Sequence, residues 1–150
     1  QTQVTAAVNL QPDLVVISSL ASDGANLVRQ LRELGYKSLI VSGNGLNTPN
    51  IFPGCGVYCD GVVIAQAYSP EVNTPINKTF REAYQQQYRQ IPPQFSAQGF
   101  TAVQVFVEAL RSLKQKRDLQ TLPLETLRAE LNQEILRGTY QTPLGEISFT

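Results

Sequence analysis

Three short apolar runs, the first two closing in polar loops, set the rhythm of the early chain. Asp13-Leu14-Val15-Val16-Ile17 breaks into Ser18-Ser19-Leu20-Ala21-Ser22-Asp23-Gly24. Ser38-Leu39-Ile40-Val41 breaks into Ser42-Gly43-Asn44-Gly45-Leu46, and Gly61-Val62-Val63-Ile64-Ala65 follows. Continuous apolar runs with helical patterns between them predict parallel strands buried on both faces, an α/β sheet flanked by helices. In such sheets ligands sit off the carboxyl ends of the strands. That rule singles out Ser18, Ser19 and Asn44, and beyond the third strand Gln66 and Tyr68, as candidate cleft-lining residues.

Between and after the strands, apolar positions repeat at helical spacing. Residues 1–11 read as the tail of a helix through Val4, Ala7, Val8 and Leu10. Ser22 or Asp23 is expected to cap the next helix, which is striped by Leu27, Val28, Leu31 and Leu34 and ended by Gly35. Thr48-Pro49 and Thr74-Pro75 each join a capping residue to a proline at the first helical position. The second opens a helix carrying Ile76, Phe80, Tyr84 and Tyr88, and Ile91-Pro92-Pro93 breaks it. These aromatic stripes follow the helix period and read as core. A long helix from Phe95 to Leu113 is expected to turn Phe100, Val103, Phe106, Val107 and Leu110 inward. Another begins near Pro123 with Leu124, Leu127, Leu131 and Ile135, and a short strand, Glu146-Ile147-Ser148-Phe149, closes the chain. Near Tyr68-Ser69-Pro70 the pattern changes from alternating strands and helices to helices, which marks a passage between two lobes.

Composition narrows the chemistry. The 12 basic and 12 acidic residues cancel, and the local cluster Arg111, Lys114, Lys116 and Arg117 reads as a solvated helix end, with no nucleic-acid partner implied. No run approaches the roughly 18 apolar residues of a membrane span, and no signal peptide is recognisable. The chain lacks His, Met and Trp. Without His the commonest general base and metal ligand is missing, and a nucleophilic triad is excluded apart from Ser–Lys variants. Glu71, Glu82 and Glu108 form no pair placed for acid–base work. Gly43-Asn44-Gly45 lacks the third glycine of a dinucleotide fingerprint and the Gly-Lys-Ser/Thr of a P-loop, so it reads as a tight turn. Neither a cofactor nor a metal is expected. Cys55 and Cys59 are too few for a structural zinc site and are not spaced as Cys-x-x-Cys; a disulfide, two inert buried thiols and a reactive pair all fit them. The lack of catalytic chemistry points to a binding module, not an enzyme. The absence of an initiator Met is read as a processed product, an excised fragment or a trimmed form.

The order of these segments resembles a known family. Pro12-Asp13-Leu14-Val15-Val16, Leu31-Arg32-Glu33-Leu34-Gly35 and Gly61-Val62 look like the later part of a type 1 periplasmic substrate-binding protein of the leucine/isoleucine/valine-binding group of ABC transporters. The likeness continues through Phe80-Arg81-Glu82-Ala83-Tyr84 and Gly99-Phe100-Thr101-Ala102-Val103-Gln104. It ends at Thr142-Pro143-Leu144-Gly145-Glu146-Ile147-Ser148-Phe149, which is similar to the family's closing Gly-Pro-x-Gly-x-Ile-x-Phe.

The resemblance implies two α/β lobes that close around a small ligand in the cleft between them and then engage a membrane permease. It implies a periplasmic or otherwise extracytoplasmic location. By it, residues 1–66 belong to the second lobe without its opening strand, residues 67–142 supply helices that pack on the first lobe, and residues 143–150 return across. The chain is then the C-terminal half of a receptor, expected to self-associate or to depend on the missing half, because a partial sheet leaves strand edges unpaired. Family members that bind amino acids hold the ligand's ammonium with a tyrosine after the first of these strands and an acid in the second loop. The matching positions are Leu20 and Asn44, while Phe95 matches an aromatic that lines the cleft. The expected ligand is therefore a neutral amide, a carboxylate, or an amino acid held by other residues. Two alternatives are an extracytoplasmic sensor of the same fold that signals through a membrane receptor or kinase, and an α/β enzyme whose catalytic residues lie in the missing half.

Overall fold

The alternation of side chains along a strand decides which apolar residues are covered. In a computed structural model that describes residues 2–149, β1 (Leu14–Ile17), β2 (Leu39–Ser42) and β3 (Val62–Ile64) run parallel in the order β1-β2-β3. Val16 pairs with Val41, and Val41 with Val63. Successive residues point to opposite faces. Ile17, Ile40 and Ser42 are buried, whereas Leu14, Val16, Leu39 and Val63 are 46%, 68%, 46% and 53% exposed. The expectation of strands buried on both faces is thus corrected. The core cluster draws on one face only, and the other keeps its apolar row open.

Helix α1 (Thr2–Asn9) contributes Val4 to that core, and α2 (Ala21–Glu33) contributes Ala25, Val28 and Leu31 at three-residue spacing. Leu20, not Ser22 or Asp23, is the N-cap of α2. It takes an extended backbone and its carbonyl already accepts the Gly24 N–H at 2.9 Å, so Ser22 and Asp23 fall inside the first turn. There Asp23 suits the positive end of the helix dipole. At the other end Gly35 adopts φ +86°, Tyr36 N–H reaches the Leu31 carbonyl, and Gly35 N–H reaches that of Arg32, both at 3.0 Å. This left-handed stop satisfies the last carbonyls. Arg32 Nη1 donates to the Tyr36 and Ser38 carbonyls at 2.8 and 2.9 Å, which steers the chain into β2. After β2 come only short turns: 3₁₀ turns at Asn44–Leu46 and Pro49–Ile51, α3 (Phe52–Cys55), and a 3₁₀ turn at Gly56–Cys59. Thr48 caps the second of these as its sequence predicts, its hydroxyl accepting from Asn50 N–H. Cys55 and Cys59 are joined in a disulfide.

The chain forms two units, residues 1–67 and 68–150. The second contains α4 (Pro75–Tyr88), α5 (Gln94–Lys116), α6 (Leu124–Arg137), and a hairpin of β4 (Thr139–Thr142) and β5 (Gly145–Ser148), with Gly145 at φ +106° beside the turn. Strand β4 is an addition to the sequence reading. Asn77 is fully buried at the start of α4, where its Nδ2 donates to the carbonyls of Ser69, Pro70 and Val72 at 3.3, 3.5 and 2.8 Å. Arg81 Nη1 donates to the Pro70 carbonyl at 2.6 Å. Besides Gln94 in the first turn, the buried residues of α5 are Ala97, Thr101, Val105, Ala109 and Leu113, one i, i+4 ridge. Phe100, Val103 and Phe106, expected to face inward, are 45%, 64% and 49% exposed. Ala97, Thr101 and Ala109 keep much of this ridge small, while Phe100, Val103 and Phe106 lie on other faces of the helix. Phe100 there joins Ile76, Phe80, Tyr84, Tyr88 and Gln104 in lining an apolar groove of about 510 Å³.

The basic end of α5 is tied to α6. Lys116 Nζ meets Glu134 Oε2 at 2.6 Å, Ser112 Oγ donates to the same oxygen at 2.8 Å, and Arg117 pairs with Glu130 at 3.2 Å. Hydrogen bonds from Lys116 and Ser112 hold the Glu134 carboxyl below the usual carboxylate range. A depressed folded pKa gives stability that is present above the unfolded value and is lost as pH falls through the folded one. Urea unfolding midpoints should therefore drop from pH 6 to pH 3, and Glu134→Gln should flatten that dependence.

Candidate functional site

The carboxyl ends of β1, β2 and β3 lie side by side, so their loops form one surface. Ser18, Ser19 and Leu20 follow β1; Gly43 to Thr48 follow β2; Ala65 to Ala67 follow β3. The Ala65 N–H donates to the Ser42 carbonyl at 2.9 Å, which carries the ladder one residue past β3 and sets Gln66 just beyond it. Leu20 is 73% exposed, Ser18 and Gln66 are exposed, and Ser19 and Asn44 are half-buried. The five candidates from this unit are thus gathered at one end of the sheet. Residues 18–20, 43–48 and 65–67 include no charged side chain; hydroxyls and carboxamides supply their polar chemistry.

Small residues hold the first two loops against each other. Ser42 is buried, and its hydroxyl donates to the Ile17 carbonyl at 3.0 Å, tying the ends of β1 and β2. A Cβ on Gly45 would collide with the Ser19 carbonyl oxygen and lie 3.3 Å from its carbon, so only glycine lets the backbones come this close. Leu46 is buried and fills the space over Gly24, where a Cβ would strike its side chain. Gly54 rests on Ala25 in the same way: a Cβ there would lie 2.8 Å from that of Ala25. Gly24, Ser42 and Gly45 pack the base of these loops, and reading the sequence for ligand-contacting residues passes over them. Their only signal is smallness beside a strand end.

Tyr68 and Phe95 belong to the second unit. Tyr68 is 4% exposed, its ring set edge-on against Phe80 at 6.0 Å and 85°, and burial raises its phenol pKa against a smaller lowering from Arg81. Phe95 stands in the first turn of α5 and is 45% exposed. Among the described residues no helix is long and apolar enough to cross a membrane.

A profile of the family described as periplasmic binding protein matches residues 1–150. No curated protein sequence matches the chain significantly. Among solved structures, a leucine-binding protein, LivK, of Thermotoga maritima superposes with a TM-score of 0.83 at 24% identity, over 98% of this chain and 40% of its own. The branched-chain amino acid substrate-binding protein LivJ of Streptococcus pneumoniae, solved with isoleucine, gives 0.75 at 19% identity over 100% and 40%. A solute-binding protein of an ABC transporter from Rhodopseudomonas palustris, solved with benzoate, gives 0.72 at 18% identity over 100% and 39%. The chain spans about two fifths of the length of these structures. With an α/β fold shared across such relatives and a family match along its whole length, the chain belongs to the periplasmic binding protein family.

Proposed function

We propose that this chain supplies part of the ligand-binding wall of an extracytoplasmic solute receptor that delivers a small molecule to the permease of an ABC transporter. On this reading residues 1–66 are part of the second lobe, residues 67–142 contribute helices to the first, and residues 143–150 return. The role is binding, not catalysis. The observation that carries the reading is the gathering of Ser18, Ser19, Leu20, Asn44 and Gln66 at the carboxyl ends of three parallel strands, the position where open α/β sheets bind ligands.

The chemistry of that wall favours a ligand without a buried ammonium on this side. Sequestering an ammonium away from water costs several kcal/mol unless a carboxylate or equivalent partner offsets it, against about 8 kcal/mol for a whole micromolar affinity. Leu20 offers no polar group, and the Asn44 carboxamide donates and accepts without charge. A carboxylate or a neutral amide suits such a surface, and the benzoate-bound relative has a ligand with no ammonium at all. Phe95 and Tyr68 are proposed contributors from the other lobe.

Isothermal titration of the intact receptor tests this. L-Leucine is expected to bind weakly or not at all, whereas a carboxylate or primary amide binds in the micromolar range and loses about tenfold on Asn44→Ala, the worth of one hydrogen bond. Tight leucine binding that weakens on Asn44→Ala overturns the reading.

A further inference from the structure

The segment after the Asn44 loop is an unusual way to connect two parallel strands. Where a long helix is the ordinary crossover, residues 49–59 fold into three helical turns of three or four residues each, interrupted by Pro53, Gly54 and Gly56. Turns this short do not persist alone in water. Their inner side is anchored: Ile51 and Cys55 are 5% and 2% exposed in the core cluster with Ala25 and Val28 of α2. Their outer side is not. Phe52 and Val57 are 59% and 79% exposed, so burial holds only half of the segment.

The disulfide supplies the other half. Cys55 is the last buried anchor, and Cys59 is partly buried against the same cluster, with Cα atoms 5.5 Å apart. The bridge therefore pins the exposed turn Gly56–Cys59 to the anchored one. From there a relay of short-range hydrogen bonds runs back to the candidate site. Gly56 N–H donates to the Phe52 carbonyl, Ile51 N–H to Thr48 at 3.3 Å, Thr48 N–H to Leu46 at 2.8 Å, and Asn47 N–H to Asn44 at 3.0 Å. The α-helix on this path, α3, is a single turn of four residues.

We infer that the Cys55–Cys59 disulfide is a positioning element for the ligand wall: it holds the Asn44–Leu46 turn in place through the chain of turns between them. This rests on the reading of that turn as part of the wall, but its test does not. In hydrogen–deuterium exchange of the ligand-free intact receptor, Cys59→Ala, which leaves the buried Cys55 side chain where it packs, is compared with wild type and with wild type reduced by a phosphine. Both perturbed forms are expected to exchange about tenfold faster over residues 44–59, with residues 14–17 and 21–33 within about twofold, the signature of a local opening. Acceleration confined to residues 50–59 overturns the inference, since the disulfide then staples only its own turn. Acceleration of the whole unit overturns it as well, since the bridge is then a general stabiliser. Because no ligand is used, failure here is separate from failure of the proposed function, which the titrations decide.

Discussion

Replacing Gly45 by alanine should cost about 2 kcal/mol of stability, the scale for forcing atoms into a filled space, while Gly43→Ala two residues earlier should stay within about 0.5 kcal/mol. The two glycines look alike in sequence and have opposite surroundings. A Cβ at Gly45 meets the Ser19 carbonyl, which is backbone and cannot swing aside; at Gly43 nothing lies within 4 Å. Urea unfolding of the two variants makes the comparison. Gly45→Ala should also part the β1 and β2 loops, so the intact receptor should lose at least tenfold in affinity for whichever ligand the titrations identify. Equal stability of the two variants would show that the loops are not in contact.

A second large effect is expected at Asn77. Its carboxamide gathers three carbonyls of the segment that leads into α4, and it is fully buried. Asn77→Ala removes its bonds to those carbonyls, leaving Pro70 with Arg81 and Ser69 and Val72 with backbone N–H groups, and should cost about 1–2 kcal/mol, the net worth of the hydrogen bonds lost. Asn77→Asp adds a sign that distinguishes hydrogen bonding from packing. A carboxylate facing carbonyl oxygens in a buried site has its pKa raised above the unfolded value of about 3.9. A group with a raised folded pKa contributes fully below the unfolded value and loses its contribution as pH rises. Asn77→Asp should therefore be distinctly more stable at pH 4 than at pH 7, measured against wild type at each pH. A pH-independent loss would mean that the site is open to water.

Much of this was legible in the chain. Apolar runs with polar breaks located three strands and their ends, and Thr48, Thr74 and Gly35 mark element boundaries where the structure has them. What failed has a common cause. Periodicity reports that a helix has an apolar face, not that anything covers it, so Phe100, Val103 and Phe106 of α5 are expected inside when the buried ridge is Ala97, Thr101, Val105, Ala109 and Leu113. The same limit explains the open row Leu14, Val16, Leu39 and Val63. Strand β4 escaped because Thr139-Tyr140-Gln141-Thr142 has a single apolar residue, although Tyr140 and Thr142 alternate correctly into the interior. At the candidate site, exposed loop residues could be found from strand ends. Ser42 and Gly45 could not, because their work is done across space against Ile17 and Ser19.

The contrast between the sealed contacts of Gly24, Ser42 and Gly45 and the openness of Leu20 divides the site into a fixed chassis and a replaceable facing. If these loops line the ligand cleft as proposed, altering recognition need not endanger folding: a library randomised at Ser18, Leu20 and Gln66 would sample new ligand preferences on an unchanged framework. Random drift in the same loops, by contrast, would be filtered first by whether the backbones still nest and only then by what they bind.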